Sequence, residues 1–553
     1  MKFFYSIVLS ASFFLAFTQV KDLSADQWRE DLRFLQKKIT TEYPHLFYRI
    51  TQEEFDEKVE ELFAEIPDLK DHEIIVRMAS IVASFKIGHT GISLTESYHG
   101  SVLRTGFHQF PLNFYLFKDG LFVQGVHEKY AHLVGAEVLR IGKYETKEAL
   151  IKIRPVVSIE NEQFFKAYGI NLLRCPEILN AMGISAEVSR VSMTFKKHGE
   201  IIEESFDITD AAHVPSTYGF VVNEADWINF RNADETPYWL MNLNEKYRFD
   251  YLEDARAIYV RQSEIKDDSK ESISQFYRKV FQFVEQNEVE KFILDVRLNG
   301  GGSGHLNLPV VLGLIKSRLN QKGKLFVIIG RNTFSAAQNL VNQLETYTDA
   351  IFVGEPTSSN VNSWGDPKVE TLPNSQLDVR LSFLWHQEKH PLDLRIWTKP
   401  DVSIEMSSMD YAMNRDVALN AILNFEESLY HATIDIERLY EEKDYERASA
   451  RGKGLGARFP HDEAKIRSHL NTIGYSLMRK DMMKAALEVL ILNTQLYPHS
   501  PNTWDSLAEC YLKLNDVQNA IKYYKKVIEM DAEGRAGDNA RVMLKTIERH
   551  MGN

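Results

Sequence analysis

Between residues 238 and 425 the chain alternates between short runs rich in β-branched and aromatic residues and longer stretches with helical spacing. The runs are RAIYVRQ, KFILDVRL, GKLFVIIG and AIFVGE. Between them lie SQFYRKVFQFVEQN, HLNLPVVLGLIKSRL and SAAQNLVNQLETY. This alternation leaves few folds open. Strands separated by helices pair in parallel, and strands that are apolar throughout are covered on both faces. The prediction is a mainly parallel sheet under helices, with any site gathered beyond the C-terminal ends of its strands.

The remaining chain follows other periods. Residues 24–87 read as a small helical bundle. Ser24 with Gln27, and Thr51 with Glu54, are capping boxes, and Phe55, Val59, Leu62, Phe63 and Ile66 keep helical spacing, as do Ile74, Met78, Ile81 and Phe85. The bundle stops at Gly88-His89-Thr90-Gly91. From 108 to 205 the pattern changes to short strands: PLNFYLFKDGLFVQGV and VSMTFKKHGEIIEESFDI read as hairpins, and an apolar insert around 156–185 interrupts them. This region resembles a PDZ-like module. In the tail, Trp504, Leu507, Ala508, Tyr511, Ala520 and Tyr524 match Leu470, Ile473, Gly474, Leu477, Ala486 and Leu490, every pair 34 residues apart. That is the period of a tetratricopeptide (TPR) repeat, and Asn493 opposite Val527 breaks it once. A short α-solenoid able to hold a protein partner follows.

The balance of 65 Lys plus Arg against 78 Asp plus Glu gives a net charge of −13, which argues against nucleic acid as a partner. The opening MKFFYSIVLSASFFLAFTQV sets Lys2 before an apolar run to Phe17. That run is short for a membrane span and fits a secretory signal peptide. A periplasmic or secreted protein that does not span the membrane is expected. Export permits disulfides, yet the chain holds only Cys175 and Cys510, in regions assigned to different domains; two free thiols are expected. Two cysteines and no HExxH leave no zinc pattern, and neither a metal nor a cofactor is implied.

Two segments of the α/β region could carry chemistry. ILDVRLNGGGSG ends a strand in Asn299-Gly300-Gly301-Gly302, where backbone amides can approach a ligand without intervening side chains. VIIGRNTFSAAQNL places Ser335 at the start of a helix. A serine there is ordinarily a cap. Beside a glycine-rich strand end in the same sheet it is also a nucleophile candidate, because acyl transfer needs a hydroxyl next to donors aimed at the developing oxyanion.

ILDVRLNGGG followed by TFSAAQN and then VGEPTSS resembles the serine peptidases of the S41 clan, the tail-specific and tricorn-core proteases, over roughly residues 24–425. The resemblance implies a multidomain α+β chain: signal peptide 1–20, helical domain 21–95, PDZ-like domain 105–210, a crotonase-like α/β S41 catalytic core 235–425, and the TPR-like repeats 430–553. It also implies Ser335 as nucleophile, with the amides of Ala336 and of Gly301 or Gly302 as the oxyanion hole. The lysine of a Ser-Lys dyad is absent. Its position holds Asn360, and Lys368 reads as a loop charge. The tricorn-like branch takes a histidine from the helical domain, which falls on His89, with His305 as rival. The orienting acid falls on Asp393, upstream of Pro400-Asp401, with Glu388 as substitute. The expected activity is exported serine endopeptidase action on extended or unfolded polypeptides. The competing expectation is an inactive binding or scaffold protein of the same fold that uses its cleft and repeats.

Overall fold

The computed structural model describes residues 23–95, 101–221, 226–232, 235–425 and 429–551; the expected signal peptide lies outside them. The chain forms two compact units that divide between Asn424 and Phe425.

The first unit begins with three helices, α1 (Ala25–Glu42), α2 (Gln52–Glu65) and α3 (Asp71–Ala83). Both expected capping boxes are formed: Ser24 accepts from the amide of Gln27 and Thr51 from that of Glu54. Phe55, Val59, Leu62, Ile74, Met78 and Phe85 are buried together between the helices, so the apolar stripes supply the driving force for the bundle. The chain then enters a short strand, β1 (Gly91–Ile92).

An antiparallel sheet follows. Its strands are β2 (Leu112–Phe117), β3 (Gly120–His127) and β4 (Glu137–Ile141). After helices α4 (Thr146–Ile153), α5 (Glu162–Tyr168) and α6 (Pro176–Ala181) come β5 (Arg190–Lys197), β6 (Glu200–Asp207) and β7 (Trp227–Asn229). Hairpins β2–β3 and β5–β6 pair antiparallel, the second turning through His198 and Gly199, both at positive φ. The apolar insert is helical, and α5 and α6 lie in it.

The α/β sheet comprises β8 (Tyr247–Leu252), β9 (Ala257–Gln262), β10 (Lys291–Asp295), β11 (Leu325–Ile329) and β12 (Ile351–Gly354). Helices α7 (Ile273–Gln286), α8 (Leu308–Lys316) and α9 (Ala336–Tyr347) connect its successive parallel strands. Strands β9 to β12 pair in parallel and in sequence order, while β8 joins the edge antiparallel. Every residue of β9, β11 and β12 is buried, as strands covered on both faces require. After β12 the chain forms a hairpin, β13 (Asn362–Thr371) and β14 (Asp378–Gln387), then returns to the sheet as β15 (Val402–Ser403) beside β12. Strand β1 pairs with β14, Gly91 opposite Arg380 and Ile92 opposite Val379. That pairing ties the end of the helical bundle to the α/β region. The unit closes with α10 (Ser408–Ala412) and α11 (Val417–Leu423).

The second unit is all helical: α12 (Leu429–Glu441), α13 (Tyr445–Arg458), α14 (Glu463–Arg479), α15 (Met483–Leu496), α16 (Pro501–Lys513), α17 (Val517–Met530) and α18 (Arg535–Met551). The residues matched at 34 intervals fall on the packed faces of α14 to α17. Leu470, Ile473, Leu477, Ala486 and Leu490 are buried in the earlier pair, and Leu507, Ala508, Ala520 and Tyr524 in the later. Asn493 is equally buried and donates to the carbonyl of Arg467 at 3.1 Å. Cys175 and Cys510 are buried free thiols, one in each unit. Among the described residues no helix is long and apolar enough to cross a membrane.

Candidate active site

The loop from β11 to α9 carries Ser335. An N-cap serine ordinarily sits in the β region and accepts from the first turn. Ser335 does neither: its φ is +56° and ψ −127°, and its hydroxyl makes no cap hydrogen bond. A non-glycine residue at positive φ is strained, by about 1–3 kcal/mol, and persists only where its surroundings hold it. Here Phe334 donates its amide to the Asn299 carbonyl at 3.1 Å, and Thr333 Oγ1 donates to the Val296 carbonyl at 2.8 Å. Both hold the loop to the end of β10. Arg331, one turn upstream, forms a buried bidentate pair with Glu355 at 2.7 Å on each arm, locking the ends of β11 and β12 together.

Released from capping, the Ser335 hydroxyl meets His89. His89 Nε2 lies 2.9 Å from Ser335 Oγ, across 246 residues of chain. The imidazole is 3% exposed and stacks on Phe334 with ring centroids 4.5 Å apart at 25°. Its loop is fastened on both sides. The Gly88 amide donates to Glu160 Oε2 at 3.0 Å, and Thr90 Oγ1 accepts from the Ser382 amide at 3.1 Å in β14.

The glycine run closes the other side. Gly301 and Gly302 have φ of +107° and +135°. A Cβ on Gly301 would fall 2.7 Å from Ser335 Cβ, and one on Gly302 only 2.2 Å from the Ile265 carbonyl oxygen, so only glycine allows this approach. The Gly301 amide is taken by Asn299 Oδ1 at 2.9 Å. Ala336 is the first residue of α9, so its amide has no partner within the helix. Among the described residues neither that amide nor the Gly302 amide donates a hydrogen bond. Of the three expected oxyanion donors, Gly302 and Ala336 are therefore the two that are open.

A cavity of about 350 Å³ brings together His89, Gly302, His305, Ser335, Ala336, Asp366, His386 and Glu388. His305 flanks the pair, its ring 3.1 Å from Ser303 Oγ. Asp366 and His386, which also line the cavity, bond each other at 2.8 Å. Asp393 does not line this cavity. Arg395, two residues on, takes its carboxylate through contacts of 2.8–3.1 Å. Burial pushes the Asp393 pKa up, but Arg395 outweighs it and holds the carboxyl below its usual range. Glu388, the substitute, does line the cavity and accepts from Gln343 at 3.3 Å. Lys368 is exposed in β13 rather than in a loop, with its ammonium over Phe383.

Sequence reasoning missed Glu160 and Phe164. Glu160 is 3% exposed and accepts from three donors: Gly88 N–H, Asn360 N–H at 2.8 Å and Ser359 Oγ at 3.1 Å. Burial raises its pKa, opposed by those hydrogen bonds and by the charge of Arg49. The available signal was an acid in the apolar insert, directly before Asn161, which caps α5.

The tetratricopeptide repeat family matches residues 501–533. No curated protein matches the chain. Among solved structures, mature CPAF aligns with a TM-score of 0.52 at 12% identity, covering 73% of this chain and 99% of that one. Mature CPAF complexed with lactacystin gives 0.52 at 12% identity, covering 72% and 99%. The photosystem II D1 C-terminal processing protease gives 0.34 at 13% identity, covering 71% and 98%. The chain thus has the fold of the S41 peptidases and carries a tetratricopeptide repeat near its C-terminus.

Proposed function

We propose that the protein is an exported serine endopeptidase acting on extended or unfolded polypeptides. The observation that carries this reading is the 2.9 Å contact between His89 Nε2 and Ser335 Oγ, made by a serine that has given up its cap. In the proposed reaction Ser335 Oγ attacks the scissile carbonyl carbon while His89 Nε2 takes its proton. Charge developing on the carbonyl oxygen is met by the amides of Gly302 and Ala336. His89 then protonates the leaving amine, and a water hydrolyses the acyl-enzyme by the reverse proton transfers. The PDZ-like reading of 105–210 assigns that sheet the task of holding a chain end by strand addition, and the repeats that of docking a protein partner.

A fluorophosphonate probe tests the assignment. Wild type should be labelled and Ser335→Ala should not, while His89→Ala should react on the order of 10²–10⁴ times more slowly. Equal labelling of wild type and Ser335→Ala would refute the reading. Casein should be cut faster than folded albumin; equal rates would refute the preference for unfolded chains.

A further inference from the structure

Glu160 is a buried carboxyl with no place in the reaction just described, yet it bridges the residue before His89 to the loop after β12. One oxygen accepts the Gly88 amide, next to His89; the other accepts the Asn360 amide and the Ser359 hydroxyl, from the loop after β12. Its neighbour Asn161 extends the same bridge, donating to the carbonyls of Thr357 at 3.3 Å and Ile396 at 2.6 Å. From the helix that Asn161 caps, Phe164 packs its ring 5.3 Å from that of Phe334, on which His89 stacks.

The donor and acceptor balance is specific. Each oxygen of Glu160 faces a backbone N–H, and a backbone N–H cannot reverse its role. An amide side chain turned either way would set its own N–H₂ against one of them. Only a group that accepts on both sides satisfies the site, so the position calls for a carboxyl side chain rather than an amide.

We infer that Glu160 is a positioning residue of the proposed peptidase site, holding the backbone at Gly88 so that the His89 imidazole stays aligned with the Ser335 hydroxyl. This rests on the peptidase reading. Glu160 acts through His89 and touches no reacting atom. Its effect should fall on turnover rather than on substrate binding, because misplacement of a catalytic group by about 1 Å costs roughly 10²-fold.

The test compares Glu160→Gln and Glu160→Asp with wild type in two measurements. The first is the kcat and KM for a casein-derived peptide. The second is hydrogen exchange of the segments 86–92 and 357–361, followed in the full chain by mass spectrometry. Glu160→Gln should lower kcat by roughly 10²-fold while KM changes less than about twofold, with faster exchange confined to those two segments. Glu160→Asp keeps acceptors on both sides and should recover part of the loss. Unchanged kcat in Glu160→Gln, or a fall in kcat accompanied by faster exchange throughout the first unit, would overturn the inference. If wild type neither cleaves peptide nor takes the fluorophosphonate, the peptidase reading fails. Exchange at 86–92 would still report whether Glu160 anchors that loop.

Discussion

Alanine at position 88 would add one methyl group where there is no room for it. The new carbon would lie 2.7 Å from Phe164 Cε2, 2.8 Å from Phe334 Cζ and 2.9 Å from Glu160 Oε2. Carbon atoms settle about 3.5–4.0 Å apart, so each ring falls short by roughly 0.8 Å. None of the three neighbours is free to retreat. Phe334 is 5% exposed and leads directly into the strained Ser335; Phe164 is 7% exposed; Glu160 is held by three donors. The segment that can yield is residue 88 itself, and it takes His89 with it. A shift of about 1 Å opens the Oγ–Nε2 contact past hydrogen-bonding range, which should lower the rate roughly 10²-fold, while overpacking costs about 1–3 kcal/mol of stability. Rates of fluorophosphonate labelling of wild type and Gly88→Ala, beside their urea midpoints, separate the two effects. A labelling rate within about threefold of wild type in a folded Gly88→Ala protein would refute the claim that this crowded turn sets the imidazole.

Two further outcomes follow from other parts of the fold. Gly454 and Gly456 lie inside α13, and a Cβ at either would meet nothing within 4 Å, so replacing both with alanine should stabilise that helix by about 1–2 kcal/mol, seen as slower hydrogen exchange over 445–458; faster exchange would contradict it. Burial pushes the Glu345 pKa up, but hydrogen bonds and charges from Arg395 and Lys389 outweigh it and bring the pKa down to about 2. A folded pKa below the unfolded one stabilises the protein above about pH 4.5, and the roughly 3 kcal/mol involved is lost as pH falls toward 2. Urea midpoints of Glu345→Gln should therefore fall less steeply than those of wild type between pH 5 and 2, and parallel curves would show that the carboxylate is not so held.

Features written in local periodicity were legible before the structure. The apolar stretches FIL of KFILDVRL and LFVII of GKLFVIIG are buried because both faces of the sheet are covered, and the 34-residue matches survive because each helix pair must bury the same positions against the next. Ser335 stood out at a helix start beside a glycine-rich strand end, and His89 through the family resemblance. The structure shows why glycine is there: a side chain at Gly88 would collide with Phe164 and Phe334, and one at Gly301 with Ser335. Glu160 was illegible because its partners are two backbone amides and a serine hydroxyl from segments 72 to 200 residues away. Backbone donors leave no mark on composition or spacing.

Asp393 and Glu160 together show what governs how an acid is held. Asp393 stands upstream of Pro400-Asp401, where the resemblance implied an orienting carboxylate, but Arg395 follows two residues later on the same loop. A guanidinium so close in sequence reaches the carboxylate with little loss of chain entropy, and its fork offers several charge-assisted hydrogen bonds. That contact leaves Asp393 sharing Arg395 with Glu345, which accepts from the same guanidinium. Among the described residues, no cation lies at hydrogen-bonding distance from Glu160. Its charge is balanced mainly by backbone dipoles, and those belong to the loops that present the histidine and close the sheet. A carboxylate satisfied by a side-chain cation braces that cation, whereas one satisfied by backbone amides braces the fold of the loops that own them. On this reasoning, the acid that matters to the alignment of His89 is the one tied to its loop by the main chain.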